Sequence, residues 1–576
     1  MTLSDPVSTD AALTVPSTVD DLADRFWEAL LELSPTTATI YGDERYDDRW
    51  EDPGAAGRAR ARALFRSTLA EAVAISTAGL TVEERITRDM LQVVCELGLE
   101  QDEQRIDRLK AVDQINGPQT VLPQLVQFQR TDTPERLERF LARLASYPAF
   151  MAANADLVRE GLATGLTAPR IVTERTIAQL ERNLAVPPEA SPVAIVPRLA
   201  NEADRDRIVA LVRDAVRPAD AAFLETLRGD YLAASRLEPG LWSAPGGDVL
   251  YRTQIRAWTS LPLSADELHR VGLEELAALD AQRRAIAGEL GHGDDVAAAR
   301  AAILADPADV PASGEALVAR GRERVERATA AAGRAFGRLP AASCDVRPVE
   351  PFVECDAPPA FYFPPAADGS RPGIFYVNTY DLPSRRLSRL ASIAHHEAVP
   401  GHHFQISLEM EHPSLPAFRR LGSRMTGAAF AEGWGLYSER LADELGLYDG
   451  PVERLAMLDA QAWRAVRLVV DTGIHALRWS RERSIELLIA EAGLTGTDAG
   501  IETDRYIVQP GQALAYKVGQ REIEQLRRAA EAAAAAGGRP FDLRAFHDAV
   551  LGHGSLPLAT LARELPRWLA EGTPAP

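Results

Sequence analysis

The stretch DDLADRFWEALLEL, residues 20–33, sets apolar side chains at three- and four-residue intervals, the spacing of one helix face, and Ser34-Pro35 stops it. The same spacing returns at 56–75, 81–100, 134–161, 172–183, 203–229, 264–290 and 314–336. The chain is dominated by Ala, Leu, Arg and Glu, strong helix formers whose apolar members line one stripe. The Ala-rich pieces 296–304 and 529–536 read as helix too. Together these segments predict a predominantly α protein.

One region departs from that pattern. Residues 344–383, CDVRPVEPFVECDAPPAFYFPPAADGSRPGIFYVNTYDLP, are rich in Pro, Phe, Tyr and Val. They hold two candidate strands, CDVRPV (344–349) and GIFYVN (373–378), around the turn-forming pair Asp368-Gly369. This is a small β element set into a helical protein, and a helix starts again at Ser384 or Ser388. The sequence has no repeat of fixed period and no long low-complexity linker. It reads as a flexible N-terminus (1–18), a helical first part (19–340) and a second part (341–576) with the β element and the densest chemistry.

Composition narrows the partners. The 576 residues include 63 Lys and Arg against 83 Asp and Glu, a formal net charge of −20. Nucleic acid and anionic membrane surfaces both demand a basic face, so neither is expected as a partner. Three cysteines, Cys95, Cys344 and Cys355, lack CxxC spacing and form neither a disulfide framework nor a thiolate zinc site. The first sixteen residues contain no Lys or Arg and no continuous apolar core, unlike a signal peptide. No stretch supplies the roughly 18 apolar residues of a membrane span. These features predict a cytoplasmic protein and leave its oligomeric state open.

Four of the ten histidines, His395, His396, His402 and His403, fall within HHEAVPGHH (395–403). A histidine followed directly by a glutamate is the pattern of a zinc-hydrolase helix, with His396 as ligand and Glu397 as base. In the usual form the second histidine comes four residues later, about 400° of rotation, on the same face. Here His402 comes six residues later, about 600° around and about 9 Å along a straight helix, pointing roughly 120° away. Pro400 removes the donor that would bond the carbonyl of His396, and Gly401 permits unusual dihedrals. A break at Pro400-Gly401 is therefore required if both imidazoles serve one metal. Otherwise His395 or His403 substitutes, or there is no site.

Catalytic zinc takes three protein ligands and keeps one position open. In AFAEGWGLYSERLADELG, Glu432 and Glu439 lie seven residues apart and nearly on one helix face. Glu432, in an apolar setting, is the expected third ligand, since a buried carboxylate needs a partner. Glu439 fits behind a ligand histidine as its orienting carboxylate. Further on, Arg464, Arg467, Asp471 and His475 form a polar stripe on one helix, Asp471 serving as a second supporting carboxylate. In RYIVQPGQALAYK (505–517), Gln512 and Tyr516 sit one turn apart.

The blocks HEAVPGHHFQ, EGWGLYSE, RLVVDTGIH and YIVQPGQALAYKVG together resemble the bacterial family catalogued as domain of unknown function 885. SPTTATIYG (34–42), PGLWSAPGGDVLY (239–251) and the helix opening at LSADELHRVGLEEL extend the likeness over nearly the whole chain. The resemblance implies kinship with glutamate-liganded zinc peptidases such as angiotensin-converting enzyme and the thermostable carboxypeptidases. Their fold is a two-lobed, mostly helical shell around a deep cleft. It further implies His396, His402 and Glu432 as zinc ligands and Glu397 as base, in agreement with the reading of the residues.

The expected activity is zinc-dependent hydrolysis of short peptides or peptide-like amides, with His475 and Tyr506 or Tyr516 stabilising the oxyanion. Strand 373–378 is expected to hold an extended substrate by backbone pairing. Arg464, Arg467, Gln512 and Lys517 are expected to bind substrate, the three cations through its terminal carboxylate. The competing readings are a non-catalytic metal- or ligand-binding helical protein and a hydrolase of a non-peptide ester or amide.

Overall fold

The amphipathic segments form helices close to where the apolar spacing places them. Residues 20–33 lie in the helix Val19–Leu33, capped by Thr18, whose hydroxyl accepts from the Asp21 amide while the Asp21 carboxylate accepts from the Thr18 amide. The computed structural model describes residues 18–571 apart from 200, 351–353, 355–357, 366–370, 413–414, 423–424 and 426. Residues 1–17 of the N-terminus expected to be flexible, Cys355 and the Asp368-Gly369 turn lie outside the described residues. No helix of the described chain is long and apolar enough to cross a membrane.

The protein is mainly helical with one small sheet. The helices that build the site are α1 (Gly247–Thr259), α2 (Ala265–Glu289), α3 (Leu387–Glu397), α4 (His402–Met410), α5 (Ala428–Glu444), α6 (Pro451–His475), α7 (Gly496–Val508) and α8 (Ala515–Ala536). Buried apolar side chains from Leu22 to Trp568 join in one connected core, so residues on both sides of position 340 share it. Between α2 and α6 the His269 ring nitrogen Nδ1 lies 2.8 Å from the Thr472 hydroxyl.

The sheet has three strands, β1 (Cys344–Pro348), β2 (Ala360–Phe363) and β3 (Gly373–Val377), in the order β1-β3-β2. β1 runs parallel to β3, with Cys344 opposite Gly373, and β2 runs antiparallel to it, with Ala360 opposite Val377. The second strand, AFYF, is absent from the sequence reading because prolines crowd it on both sides. This topology corrects the role expected of GIFYVN. β3 is the central strand, its backbone groups are already paired on both edges, and it cannot pair with a substrate.

Helices α5 and α8 cross where neither carries a side chain. A Cβ on Gly519 would lie 1.8 Å from the Ala429 carbonyl oxygen, and one on Gly433 would lie 2.4 Å from the Gly519 backbone. Backbone thus packs directly on backbone three residues from Tyr516 and next to Glu432. Gly519→Ala should force the helices apart and destabilise the protein by about 1–3 kcal/mol, as overpacking does. Thermal unfolding measures it, and an unchanged Tm would show that the crossing has slack.

Candidate metal centre

Helix α3 ends at Glu397. Ala398 (φ −107°, ψ −101°) and Gly401 (φ −78°, ψ −126°) leave helical geometry, the Val399-Pro400 bond is cis, and α4 begins at His402. The intervening backbone is held from α5, where the Trp434 indole donates to the Pro400 carbonyl at 2.9 Å and the Ser438 hydroxyl at 3.3 Å. The 120° divergence of a straight helix disappears, and the His396 and His402 rings meet edge to face with centroids 4.9 Å apart.

Glu432 reaches the same point from α5. Its Oε2 lies 3.6 Å from His396 Nε2 and 3.7 Å from His402 Nε2, and one ligand atom from each residue lies within 4.8 Å of the others. Among the described residues this is the one group of three or more His, Cys, Asp or Glu with such geometry. Gly435, one turn along from Glu432, makes room, because a Cβ there would come 2.8 Å from the His396 ring. Glu397 is partly exposed beside the trio and makes no ion pair among the described residues.

Behind His396 stands Glu439. Its Oε1 lies 2.9 Å from His396 Nδ1, and its Oε2 accepts from the Ser392 hydroxyl at 2.8 Å and the Gln461 amide at 3.4 Å. These residues are all buried. A carboxylate on Nδ1 fixes the imidazole so that Nε2 faces Glu432, the arrangement that orients a metal-ligating histidine. His402 has no such support, for its buried Nδ1 lacks a hydrogen-bond partner among the described residues.

The charges respond to this proximity. Burial opposes a charge on His396, but the carboxylates of Glu432 and Glu439 outweigh it and raise the imidazole pKa to about 9. Burial likewise opposes ionisation of Glu432, yet His396 and His402 hold it well below the ordinary carboxylate range, and His396 keeps Glu439 low as well. Two imidazoles and an ionised carboxylate converging on a small space form a donor set that suits zinc.

The other two histidines of the cluster lie outside the trio. His395 Nδ1 is 3.0 Å from the Val399 carbonyl, and burial lowers its pKa to about 4. His403 Nδ1 is 2.9 Å from the Tyr362 hydroxyl on β2, and its Nε2 is 3.1 Å from the Ala342 carbonyl, which ties the sheet to α4. Neither replaces His402.

Several residues expected at the site have other partners. His475 accepts from the Leu241 amide at Nδ1 (3.2 Å) and donates from Nε2 to the Tyr506 carbonyl (3.0 Å), so no ring nitrogen remains for an oxyanion. Burial lowers its pKa to about 4. Asp471 accepts from the Tyr251 hydroxyl (2.6 Å) and the Gly511 amide (3.1 Å). It therefore fixes the α7–α8 turn and does not support a ligand histidine. Burial raises Asp471 to about 7, against the lowering effect of Tyr251. Lys517 is buried and donates to Gln461 (3.0 Å) and Gln520 (2.6 Å), behind Glu439, so it is no anchor for a substrate carboxylate.

Tyr516 is stacked beside the trio, its ring centroid 6.3 Å from that of His396, and its hydroxyl makes no hydrogen bond among the described residues. The Tyr506 hydroxyl, in contrast, accepts from Arg467 Nε (3.0 Å) and donates to Glu502 (2.7 Å). Arg464 and Arg467 do lie near the trio, over the rings of Trp463 and Tyr516. Gln512 accepts from Arg505, which the sequence reading left unassigned together with Glu502, Ser392 and Gln461. Ser392 stands one helical turn before His396, the one sequence signal that could have singled it out.

A helical chain with a two-histidine, one-glutamate cluster where two helices meet is a candidate metalloprotein. The chain belongs to the family described as bacterial protein of unknown function (DUF885), which it matches over residues 35–565. It is similar to a protein of Colwellia psychrerythraea, provisionally described as a lipoprotein, at 27% identity and a TM-score of 0.89. That match covers 97% of this chain and 100% of the other. A Shewanella oneidensis protein, provisionally described as a lipoprotein of unknown function, shares the fold at 19% identity and a TM-score of 0.75, covering 96% and 100%. No curated protein matches the chain.

The His396 cluster carries a pH signature in the metal-free protein. A histidine raised above its ordinary 6.5 stabilises the fold fully below that value and loses this as pH rises through about 9. The lowered glutamates contribute above their ordinary 4.5 and lose it as pH falls. Glu439→Gln should therefore cost most stability between about pH 5 and 6.5 and progressively less towards pH 9. Thermal unfolding of chelator-treated parent and variant across this range is the comparison. A pH-independent cost would contradict the charged pair.

Proposed function

We propose that the protein is a zinc-dependent hydrolase of short peptides or peptide-like amides, related to the glutamate-liganded zinc peptidases. The observation that carries this reading is the convergence of His396, His402 and Glu432, with the neighbouring carboxylate Glu397 partly exposed and in no ion pair among the described residues. His396, His402 and Glu432 would hold the ion, leaving the open position that hydrolytic sites keep. Zinc, when bound, supplies a Lewis acid for the carbonyl and a lowered pKa for water.

The chain's own groups do the rest. Glu397 accepts the proton of the attacking water and returns it to the leaving amine. Glu439 keeps His396 in one tautomer and orientation while charge develops nearby. Tyr516 fits better than Tyr506, because its hydroxyl makes no hydrogen bond among the described residues and can donate to the substrate carbonyl oxygen as that oxygen becomes negative. Esters would meet the same machinery. A non-catalytic metal protein would have no use for Glu397 next to a ligand.

Cysteine usage favours the cytoplasm, and the description of two structural relatives as lipoproteins favours the cell envelope. We place the protein in the cytoplasm, and recovery of the native protein in a membrane fraction would reverse this.

Protein purified without chelator or histidine tag should contain near-stoichiometric zinc, and His396→Ala and Glu432→Ala should lose it. Glu397→Gln should keep the metal and lower turnover of a short-peptide library about 10²- to 10⁴-fold, the share of a general base. Parent-like activity of Glu397→Gln on a verified substrate would remove Glu397 as base. A zinc-loaded parent that cleaves nothing in the library would favour the non-catalytic reading.

A further inference from the structure

Next to the trio lie three guanidinium groups, two of which share one carboxylate. Arg467 pairs with Glu502 at 3.4 Å and Arg505 pairs with the same Glu502 at 2.7 Å, while Arg464 has no ion-pair partner among the described residues. Burial of Glu502 would raise its pKa, but Arg505 and Arg467 overcome that and hold it at about 2, so it remains a single fixed negative charge. The group therefore carries an excess of positive charge in a chain of net charge −20.

Its hydrogen-bonding capacity is also unfilled. Arg467 is 4% exposed, and its Nη1 is buried without a partner among the described residues. Arg464 Nε is in the same condition, its Nη1 reaching only the Ala460 carbonyl at 3.3 Å. Unpaired buried donors on charged groups are costly, and a carboxylate matches the guanidinium fork in shape and charge. Arg464, Arg505 and Tyr516 are only half-buried, which leaves the cluster a way out to solvent.

The position of the cluster gives it a purpose. The Tyr516 ring lies 4.5 Å from the Arg467 guanidinium carbon and 6.3 Å from the His396 ring. One aromatic ring thus neighbours both the cations and the metal-binding trio, which puts the two within about one to three residues of extended chain at 3.3–3.6 Å each.

We infer that Arg464, Arg467 and Arg505 form an anion subsite that takes a carboxylate of the molecule bound at the trio, with the Tyr516 ring beside both. For a peptide this carboxylate is the free C-terminus or an acidic side chain one to three residues from the bond at the trio. Lys517, bound to Gln461 and Gln520, takes no part. That the molecule is a peptide rests on the hydrolase reading, but the subsite itself does not need turnover.

Binding is therefore measured by calorimetry on the metal-free full-length protein, with three probes: N-acetyl-trialanine, its C-terminal amide, and N-acetyl-alanyl-aspartyl-alanine amide. The acid should bind at least about tenfold more tightly than the trialanine amide. Tight binding of the aspartyl amide would place a side-chain carboxylate in the same subsite, and weak binding would reserve it for the C-terminus. Arg464→Gln, at a half-buried position, and Arg467→Lys, which keeps the charge but not the fork, should each remove most of the preference for the acid. Circular dichroism and Tm confirm that each variant is folded, and either variant alone is sufficient. Equal binding of the acid and the trialanine amide by the parent, or an undiminished preference in a folded variant, would overturn the subsite. Neither outcome depends on hydrolysis, so a zinc-loaded protein without turnover would remove the hydrolase reading alone.

Discussion

Two imidazoles six residues apart share one small space only if the helix between them stops and restarts. That constraint governs the architecture around the trio. The stop is made by Ala398 to Gly401, and it is held from outside by Trp434 and Ser438, which both donate to the Pro400 carbonyl. Those two residues belong to α5, which also carries Glu432 and Glu439. One helix therefore supplies the clamp on the break, the carboxylate between the imidazoles and the carboxylate behind His396. Moving α5 would disturb all three together, which gives its backbone-to-backbone crossing with α8 a consequence for the trio.

Around this centre the buried polar groups divide into two kinds. Glu439, Ser392, Gln461 and Lys517 form a connected set behind His396, each satisfied by the next. Such a set holds a side chain in one orientation because no member can move without leaving a neighbour unpaired. On the Tyr516 side the arginines have donors left over. A satisfied network behind the trio and an unsatisfied one beside it differ in what they can offer a ligand, and only the second has bonds to give.

Much of this was legible in the sequence. Apolar spacing located the helices, because core-facing stripes are a property of the local chain. The histidine cluster stood out, the Pro-Gly pair marked the break, and the seven-residue separation of Glu432 and Glu439 put both on one face. What the sequence could not supply is which neighbour packs on a given face. His475 and Asp471 share a polar stripe with Arg464 and Arg467, yet the far end of α6 meets Leu241, Tyr251 and Gly511, so the first two hold loops and the last two lie near the trio. Lys517 follows Tyr516 directly, but successive helix residues point about 100° apart, and it faces Gln461 instead. The order β1-β3-β2 was hidden for the same reason, since strand neighbours are a long-range choice.

The claim on which the account depends is that the chain break gathers one metal-binding trio. Anomalous scattering from a crystal of the zinc-loaded protein, recorded on both sides of the zinc edge, tests it most directly. The account predicts one strong peak enclosed by His396, His402 and Glu432, with Glu439 still on His396 Nδ1. A peak on other residues, or none at these three after zinc loading, would contradict it.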